Sequence, residues 1–249
     1  MPLNYSRRLT GHLRSREANA RLGVVLAFVA GAINAGGFLA VHQYTSHMTG
    51  IVSSMADNLV VGANGSVLSG LGGLVSFLLG AMSSAVLVNF ARRRKLSSEY
   101  AIPLLLEALL LLCFGFAGAS LQRFEGLFVP ATVMLLCFIM GLQNAVISKI
   151  SRAEIRTTHI TGTVTDIGIE LGKLIYWNRT HREGHKVLAD RARLATLTLL
   201  ALSFFVGAVS GAIGFKHTGY LSTVPLAVVL IAVACVPALD DLVRFARAR

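Results

Sequence analysis

The chain has 249 residues, of which 54% are hydrophobic and 14% are charged, with a mean hydropathy of +0.67 and a formal net charge of +11. A soluble domain carries roughly 25% charged residues, so this composition excludes the soluble globular class and indicates a polytopic protein of the lipid bilayer. The basic residues form short blocks between apolar tracts, as the positive-inside rule produces, and no nucleic-acid partner is expected.

The apolar segments predict an all-α protein. In chain order they are 22–41, 46–63, 66–91, 101–121, 127–148, 158–175, 194–215 and 219–239. A helix needs about 20 residues to cross the hydrocarbon core, and six of these segments meet that need. The second and the sixth are shorter or more polar, since one contains His47 and Asp57 and the other contains His159 and Asp166.

The distribution of Lys and Arg decides whether the two polar segments cross. If all eight segments cross, the basic residues are divided between the two sides of the membrane. If 46–63 and 158–175 each enter and leave on one side, every Lys and Arg except Arg123 and Lys216 falls on the cytoplasmic side. Loop charge sets orientation, so we predict six full spans and two re-entrant segments, with both termini cytoplasmic.

This count implies that the second half of the chain is inserted upside down relative to the first. The predicted parts are a basic cytoplasmic N-terminal segment 1–21, a first membrane repeat 22–121, a second membrane repeat 127–239 and a cytoplasmic tail 240–249. Three full spans in each half are an odd number, which reverses the second copy. Such 3+3 inverted repeats are common in transporters, whose sites lie near the middle of the membrane.

A repeated motif supports the duplication. The hexapeptides TSHMTG at 45–50 and TTHITG at 157–162 begin the two polar segments. Each follows a GxxNA sequence, which reads GAINA at 31–35 and GLQNA at 141–145. The two motifs stand in the same order and at similar spacing in both halves, which favours a duplication over coincidence.

With both motifs in each half of a chain of this length, the sequence resembles the YoaK-like family of bacterial membrane proteins. That family is catalogued as a domain of unknown function, and the resemblance covers most of residues 22–240. It implies a multi-pass protein of the bacterial cytoplasmic membrane and a small permease. It supplies no substrate and no catalytic residue.

The polar residues of the repeats are candidates for a substrate pathway or for ion coupling. Histidine titrates near neutral pH, and ionisable residues inside membranes often relay protons, with Asp57 and Asp166 as candidate partners. The alternative for each histidine is a hydrogen bond to a backbone carbonyl near an interface. The candidates are Asn34, His47, Thr49, Gly50, Asp57, Glu107, Asn144, His159, Thr161, Gly162 and Asp166.

The remaining candidates also have two readings. The threonines are expected to cap a short helix and the glycine to allow a tight entry, so that two helix N-termini favour an anionic or dipolar solute. Alternatively, Thr-Gly only permits close helix packing. Asn34 and Asn144 either bind the solute or join neighbouring helices, and Glu107 either faces the bundle or reaches towards the interface.

We therefore expect a secondary permease for a small polar or anionic solute that could couple to protons. A passive channel is the nearest alternative, followed by an intramembrane enzyme. The sequence lacks GxSxG, HExxH, P-loop and dinucleotide motifs, so no catalytic residue, metal or cofactor is expected. The small-molecule substrate is not identified, and a homo-oligomer remains compatible with the sequence.

Overall fold

The computed structural model describes residues 15–121, 125–176 and 187–247, and these residues form helices and their connections without a β-sheet. The predicted all-α class is therefore confirmed. Residues 1–14 of the predicted N-terminal segment and the charge at Arg123 lie outside the described residues. The helices are α1 Arg16–Val41, α2 Met48–Val61, α3 Asn64–Arg93, α4 Ala101–Leu121, α5 Glu125–Ser151, α6 Ile160–Ile175, α7 Arg191–Thr218, a 3-10 helix Gly219–Ser222 and α8 Thr223–Arg247.

The observed helices extend beyond the apolar tracts that predicted them. The first tract was expected to begin at residue 22, whereas α1 begins at Arg16, after a cap in which Ser15 Oγ accepts from the Ala18 N–H at 3.1 Å. Helices continue past the hydrocarbon core because a capping residue, not the end of the apolar run, sets their first turn. The last residues of the predicted basic segment therefore belong to α1.

Four helical stretches in the described ranges are long and apolar enough to cross a membrane. They are Arg16–Val41, Asn64–Arg93, Val129–Ser151 and Arg191–Arg244. The last stretch has 54 residues and comprises α7, the 3-10 turn and most of α8. Helix α2 has only 14 residues, about 21 Å at 1.5 Å per residue, which is less than the roughly 30 Å core.

Helices α1 and α7 pack together in the same direction. The Ser203 hydroxyl donates to the Val24 carbonyl at 2.8 Å, and further along both helices Gly36 lies against the Phe215 ring. Helices α3 and α5 also pair in parallel, since Gly73 contacts Cys137 and Lys149 Nζ donates to Asn89 Oδ1 at 3.0 Å. The main helix pairs thus join the first half of the chain to the second half.

Glycines set the close approach within these two pairs. A β-carbon on Gly80 would collide with the Phe138 carbonyl oxygen, and one on Gly141 would collide with the Phe77 carbonyl oxygen. The α1–α7 pair has the same contacts. Small residues let helix backbones approach in this way inside a membrane. Each of these glycines follows a phenylalanine by three residues, in Phe28-x-x-Gly31, Phe77-x-x-Gly80, Phe138-x-x-Gly141 and Phe204-x-x-Gly207.

Helices α1 and α5 run in opposite directions. Asn19 Nδ2 donates to the Ile150 carbonyl at 3.3 Å, and Gln143 Nε2 donates to the Leu26 carbonyl at 3.0 Å. The residue numbers rise in one helix as they fall in the other, so α1 and α5, the helices that carry the two GxxNA motifs, are antiparallel.

Helices α4 and α8 are antiparallel as well. Gly118 near the end of α4 lies against Tyr220, in the 3-10 helix just before the start of α8. At the other end, the Ser98 N–H and hydroxyl donate to the Asp241 carboxylate at 2.9 and 2.7 Å. Asp241 therefore fixes, from a distant helix, the turn that precedes α4.

Each short helix packs against the helix that follows it. Ile51 and Met55 of α2 contact Gly73 and Gly70 of α3, which makes an antiparallel hairpin. Helix α6 forms the corresponding hairpin with α7. The central apolar cluster lies between α1, α4, α5 and α8, and large apolar side chains also cover the outer surface, as expected for helices that face lipid.

Candidate functional site

Asparagine side chains tie both hexapeptides to the preceding long helix. Asn34 Oδ1 accepts from the Ser46 N–H at 3.2 Å and from the Ser46 hydroxyl at 2.9 Å. In the second half, Asn144 Oδ1 accepts from the Thr158 hydroxyl at 2.9 Å. Ser46 and Thr158 occupy the same position of the hexapeptide, so both asparagines hold the chain one residue before the histidine.

The histidines occupy the N-cap positions of the two short helices. His47 precedes α2 and His159 precedes α6, and neither side chain forms a capping hydrogen bond. The expectation that hexapeptide threonines cap these helices is wrong. Thr49 and Thr161 lie inside the first turn and are exposed. In the first turn of α6 it is the Thr163 hydroxyl that bonds to a carbonyl four residues earlier, that of His159, at 3.1 Å.

The His-x-x-Gly spacing shared by both hexapeptides places the histidine ring over the glycine. A β-carbon on Gly50 would overlap the His47 ring, and one on Gly162 would overlap the His159 ring. Both histidines are exposed. The glycine of each motif therefore makes room for an imidazole that lies against the first turn of its short helix.

Two threonines at the start of the hexapeptides were missed as candidates. Thr45 and Thr157 are 0% and 1% exposed, and neither hydroxyl oxygen has a hydrogen-bond partner in the described part of the chain. The repeated first position of the hexapeptide was the signal that could have identified them. An unpartnered buried hydroxyl is costly, so these matched positions belong to the site region.

A cavity of about 390 Å³ lies beside α2, at the end of α1 where that helix finishes. His47 and Gly50 line it, whereas Thr49 and Asp57 do not. No Lys, Arg, Asp or Glu of residues 15–121, 125–176 and 187–247 lines this cavity. Its polar walls are instead formed by His42, Gln43, Tyr44, His47, Ser54, Asn58, Ser66 and Ser69.

A second cavity, of about 510 Å³, lies at the opposite end of α1. Its walls include Arg16, Asn19, Glu154 and Arg193, so its lining is charged. Arg16 Nε lies 3.8 Å from Glu154 Oε2. His159 lines neither this cavity nor the first one, so the two histidines share neither of these two cavities.

Comparison with known protein families shows which family this chain belongs to. A sequence model described as "Protein of unknown function (DUF1275)" matches residues 22–236, which is most of the chain. The chain belongs to this family. It is also 27% identical, over 158 residues, to the UPF0700 transmembrane protein YoaK of Bacillus subtilis (strain 168), a match covering 62% of this chain and 68% of that protein. No solved structure matches it significantly.

The match confirms the resemblance to the YoaK-like family and identifies this DUF1275 protein as a multi-pass membrane protein with a bacterial homologue. It assigns no activity to the site. The geometry of the motifs is therefore the available guide to what DUF1275 residues do.

The two candidate aspartates are not bonded to the histidines of their repeats. Asp57 is exposed and forms no hydrogen bond or ion pair within the described ranges, whereas Asp166 lies 3.0 Å from an Arg193 guanidinium nitrogen. The histidine rings fold back over their glycines, and Asp166 faces α7 instead. In this structure Asp166 therefore pairs with Arg193 and not with His159.

Glu170 is a second acidic residue of α6 that sequence reasoning did not select. Lys173 Nζ donates to it at 2.8 Å and the Asp190 N–H donates at 2.9 Å. These bonds, with that of Lys173 the stronger, hold the pKa of Glu170 below its usual range. Glu170 thereby joins the end of α6 to the start of α7.

Replacing Asn34 with alanine should lower the thermal stability of the purified protein in detergent. The change leaves two donors of Ser46 without their acceptor, a loss of about 1–3 kcal/mol. Asn144→Ala removes one such bond and should have a smaller effect. Asn58→Ala is the matched control, because the Asn58 side chain donates to Ser54, one turn earlier in the same helix. Equal Tm values for Asn34→Ala and Asn58→Ala would contradict the anchoring role.

Proposed function

We propose that this protein is a secondary permease that moves a small polar or anionic solute across the bacterial cytoplasmic membrane, coupled to protons. The observation that carries the proposal is the matched construction of the two short helices. Each begins at an asparagine-anchored loop with a histidine over its first turn. Paired discontinuous helices of this kind form substrate sites in transporters.

The helix directions support a 3+3 inverted repeat with six full spans and two re-entrant segments. If α2 and α6 crossed the membrane, each half would contain four spans. Helices α1 and α5, the first span of each half, would then point the same way. Their antiparallel contacts favour the alternative, in which α2 and α6 return to the side from which they entered. The short length of α2 agrees with this arrangement.

The orientation follows from where the basic residues gather. Lys149 at the end of α5 lies beside Asn89, near the end of α3, where Arg92 and Arg93 follow. Because α5 is antiparallel to α1, the same end of the bundle holds Arg16 at the start of α1. Basic residues mark the cytoplasmic side, so this pattern supports the proposed cytoplasmic location of both termini.

The two cavities support alternating access from the two sides. The uncharged cavity lies at the outer end of α1 in this orientation and contains His47, whereas the charged cavity lies at its inner end. Close glycine contacts, such as Gly31 against the Phe204 carbonyl, fill the space between them. The N-terminus of α2 carries partial positive charge, so a solute with an acidic or dipolar group is favoured in the outer cavity.

Transport by purified protein in liposomes tests the proposal. A thermal-shift screen of small polar and anionic solutes first identifies a stabilising compound, because a ligand of the folded state raises Tm. Uptake of that compound without ATP, increased by an inward proton gradient, is the expected result. Downhill flux or voltage-driven current that ignores the proton gradient would replace the permease with a passive channel.

Cysteine labelling tests the re-entrant topology separately. Asn64 at the start of α3 is expected to react with an impermeant maleimide from outside intact cells, and Arg94 at its end only after the membrane is opened. Cysteine is introduced at each position in turn, with the unsubstituted protein as the control for its own three cysteines. The reverse pattern would mean that α2 crosses the membrane.

A further inference from the structure

We propose that Glu107 is a proton-binding site within the helix bundle, which takes up and releases one proton in each cycle of the permease. This inference rests on the proposed function and names the residue that carries the coupling proton. It also separates Glu107 from the two histidines, which lie on other elements of the structure.

The partners of the buried acidic residues distinguish Glu107 from the others. Four acidic side chains are buried in the part of the chain that the structure describes: Glu99, Glu107, Glu170 and Asp241. Glu99 pairs with Arg92 at 3.2 Å and Glu170 pairs with Lys173 at 2.8 Å. Asp241 accepts from the Ser98 hydroxyl at 2.7 Å. Glu107 is 0% exposed, and neither of its carboxyl oxygens has a hydrogen-bond partner among the described residues.

The surroundings of Glu107 on its own helix are apolar. Leu104, Ala108 and Leu111 lie on the same face of α4 and belong to the central apolar cluster. Burying an ionised carboxylate among such groups without a partner is costly. A bound proton removes the charge within the same volume, so the side chain is stable here as the carboxylic acid.

The elements packed against α4 are α3, α5, the 3-10 helix and α8. Charged or titratable groups of these elements contact α4 at its ends, where Arg92 and Asp241 bond to residues 97–100 and Tyr220 contacts Gly118. In the described part of these packed elements, the titratable groups away from the ends of α4 are two cysteines. Cys137 of α5 contacts Gly73 of α3, and Cys235 bonds to the Ala232 carbonyl of its own helix α8.

A proton fits this position better than a metal cation. Cations such as Ca²⁺ and Mg²⁺ are bound by several oxygen ligands at once. No group of three or more His, Cys, Asp and Glu side chains that could hold a metal ion exists in residues 15–121, 125–176 and 187–247. A proton needs only the one carboxyl group. Glu107 lines neither cavity described above, so this conformation holds the acid away from both.

The duplication indicates one such site in each molecule. Helices α4 and α8 begin with the related sequences Ala-Ile-Pro103-Leu and Thr-Val-Pro225-Leu. Four residues after each proline the first copy has Glu107 and the second has Val229, which is 37% exposed. The acid is therefore specific to the first repeat, and one proton per transport cycle is expected.

Carboxyl labelling of the whole protein in liposomes tests the proposal without requiring a known solute. Dicyclohexylcarbodiimide enters membranes and adds to protonated carboxylic acids, and mass spectrometry of the digested protein then locates the adduct. We expect an adduct at Glu107, formed more slowly as the pH rises, and none at Asp57, which is exposed. Infrared spectra should show a carbonyl band of a neutral carboxylic acid that Glu107→Gln removes and Asp57→Asn retains.

The outcomes are decisive in both directions. An adduct at Glu107 that declines with rising pH, together with the missing band in Glu107→Gln, supports the proton site. Absence of the adduct and of the band at every pH overturns it, and protection by sodium at constant pH overturns it in favour of a cation. The labelling uses the unsubstituted protein, so it remains informative if Glu107→Gln does not fold. If Glu107 binds a proton but no solute is transported, the permease proposal is contradicted, whereas the proton-binding site is still supported.

Discussion

Gly141→Ala and Gly80→Ala should each lower the free energy of unfolding by about 3 kcal/mol, which is the upper part of the usual range for overpacking. A β-carbon at either position meets the backbone carbonyl of a phenylalanine on the partner helix. A backbone atom cannot turn aside as a flexible side chain can, so α3 and α5 must separate along their contact. Tm in detergent, or the midpoint of denaturant unfolding, measures the effect.

Gly65→Ala is the matched control for Gly80→Ala, because both glycines lie on α3. A β-carbon on Gly65 meets nothing within 4 Å. The same substitution there should be neutral or stabilise the helix by about 0.5–1 kcal/mol, since alanine restricts the unfolded chain more than glycine does. If the two variants had the same Tm, the close backbone approach would not be a determinant of stability.

His47→Ala and His159→Ala should each reduce solute uptake by about tenfold or more while leaving the amount of folded protein in the membrane unchanged. The loss corresponds to one hydrogen bond to a charged or strongly polar group, about 1.5–3 kcal/mol. Neither histidine caps its helix with its side chain, and both are exposed, so the fold does not depend on them. Initial uptake rates in liposomes measure the effect.

Gly50→Ala offers a more specific test of the same site, because it keeps the histidine and only displaces its ring. The new β-carbon overlaps the His47 imidazole, which is the end of a flexible side chain and is free to rotate. We therefore expect reduced uptake at a nearly unchanged Tm. His217→Ala, an exposed histidine outside both motifs, serves as the control. Normal uptake in His47→Ala and His159→Ala would remove the histidines from the proposed pathway.

The sequence motifs identified the loops of the candidate site, but they did not predict which residues hydrogen-bond to one another there. The repeated motifs identified the loops in which Asn34 and Asn144 anchor the chain. They left open whether these asparagines bind solute or join helices, and the observed partners lie in the hexapeptide of the same half. Arg193 as the partner of Asp166 was not predicted, because the two residues belong to different helices and no motif joins them.

The sequence by itself determined the membrane class, the repeated motifs and the positions of the two short segments. These features depend on the number of consecutive apolar residues and on the charge of the loops, which the bilayer requires in any tertiary arrangement. Only the tertiary structure decided which helices pair, α1 with α7 and α3 with α5, and that Glu107 is buried without a partner. In a bilayer the lipid-facing and the buried sides of a helix are both apolar, so hydrophobic periodicity does not mark the packed face. Contacts of small residues between distant helices, such as Gly31 against Phe204, determine it instead.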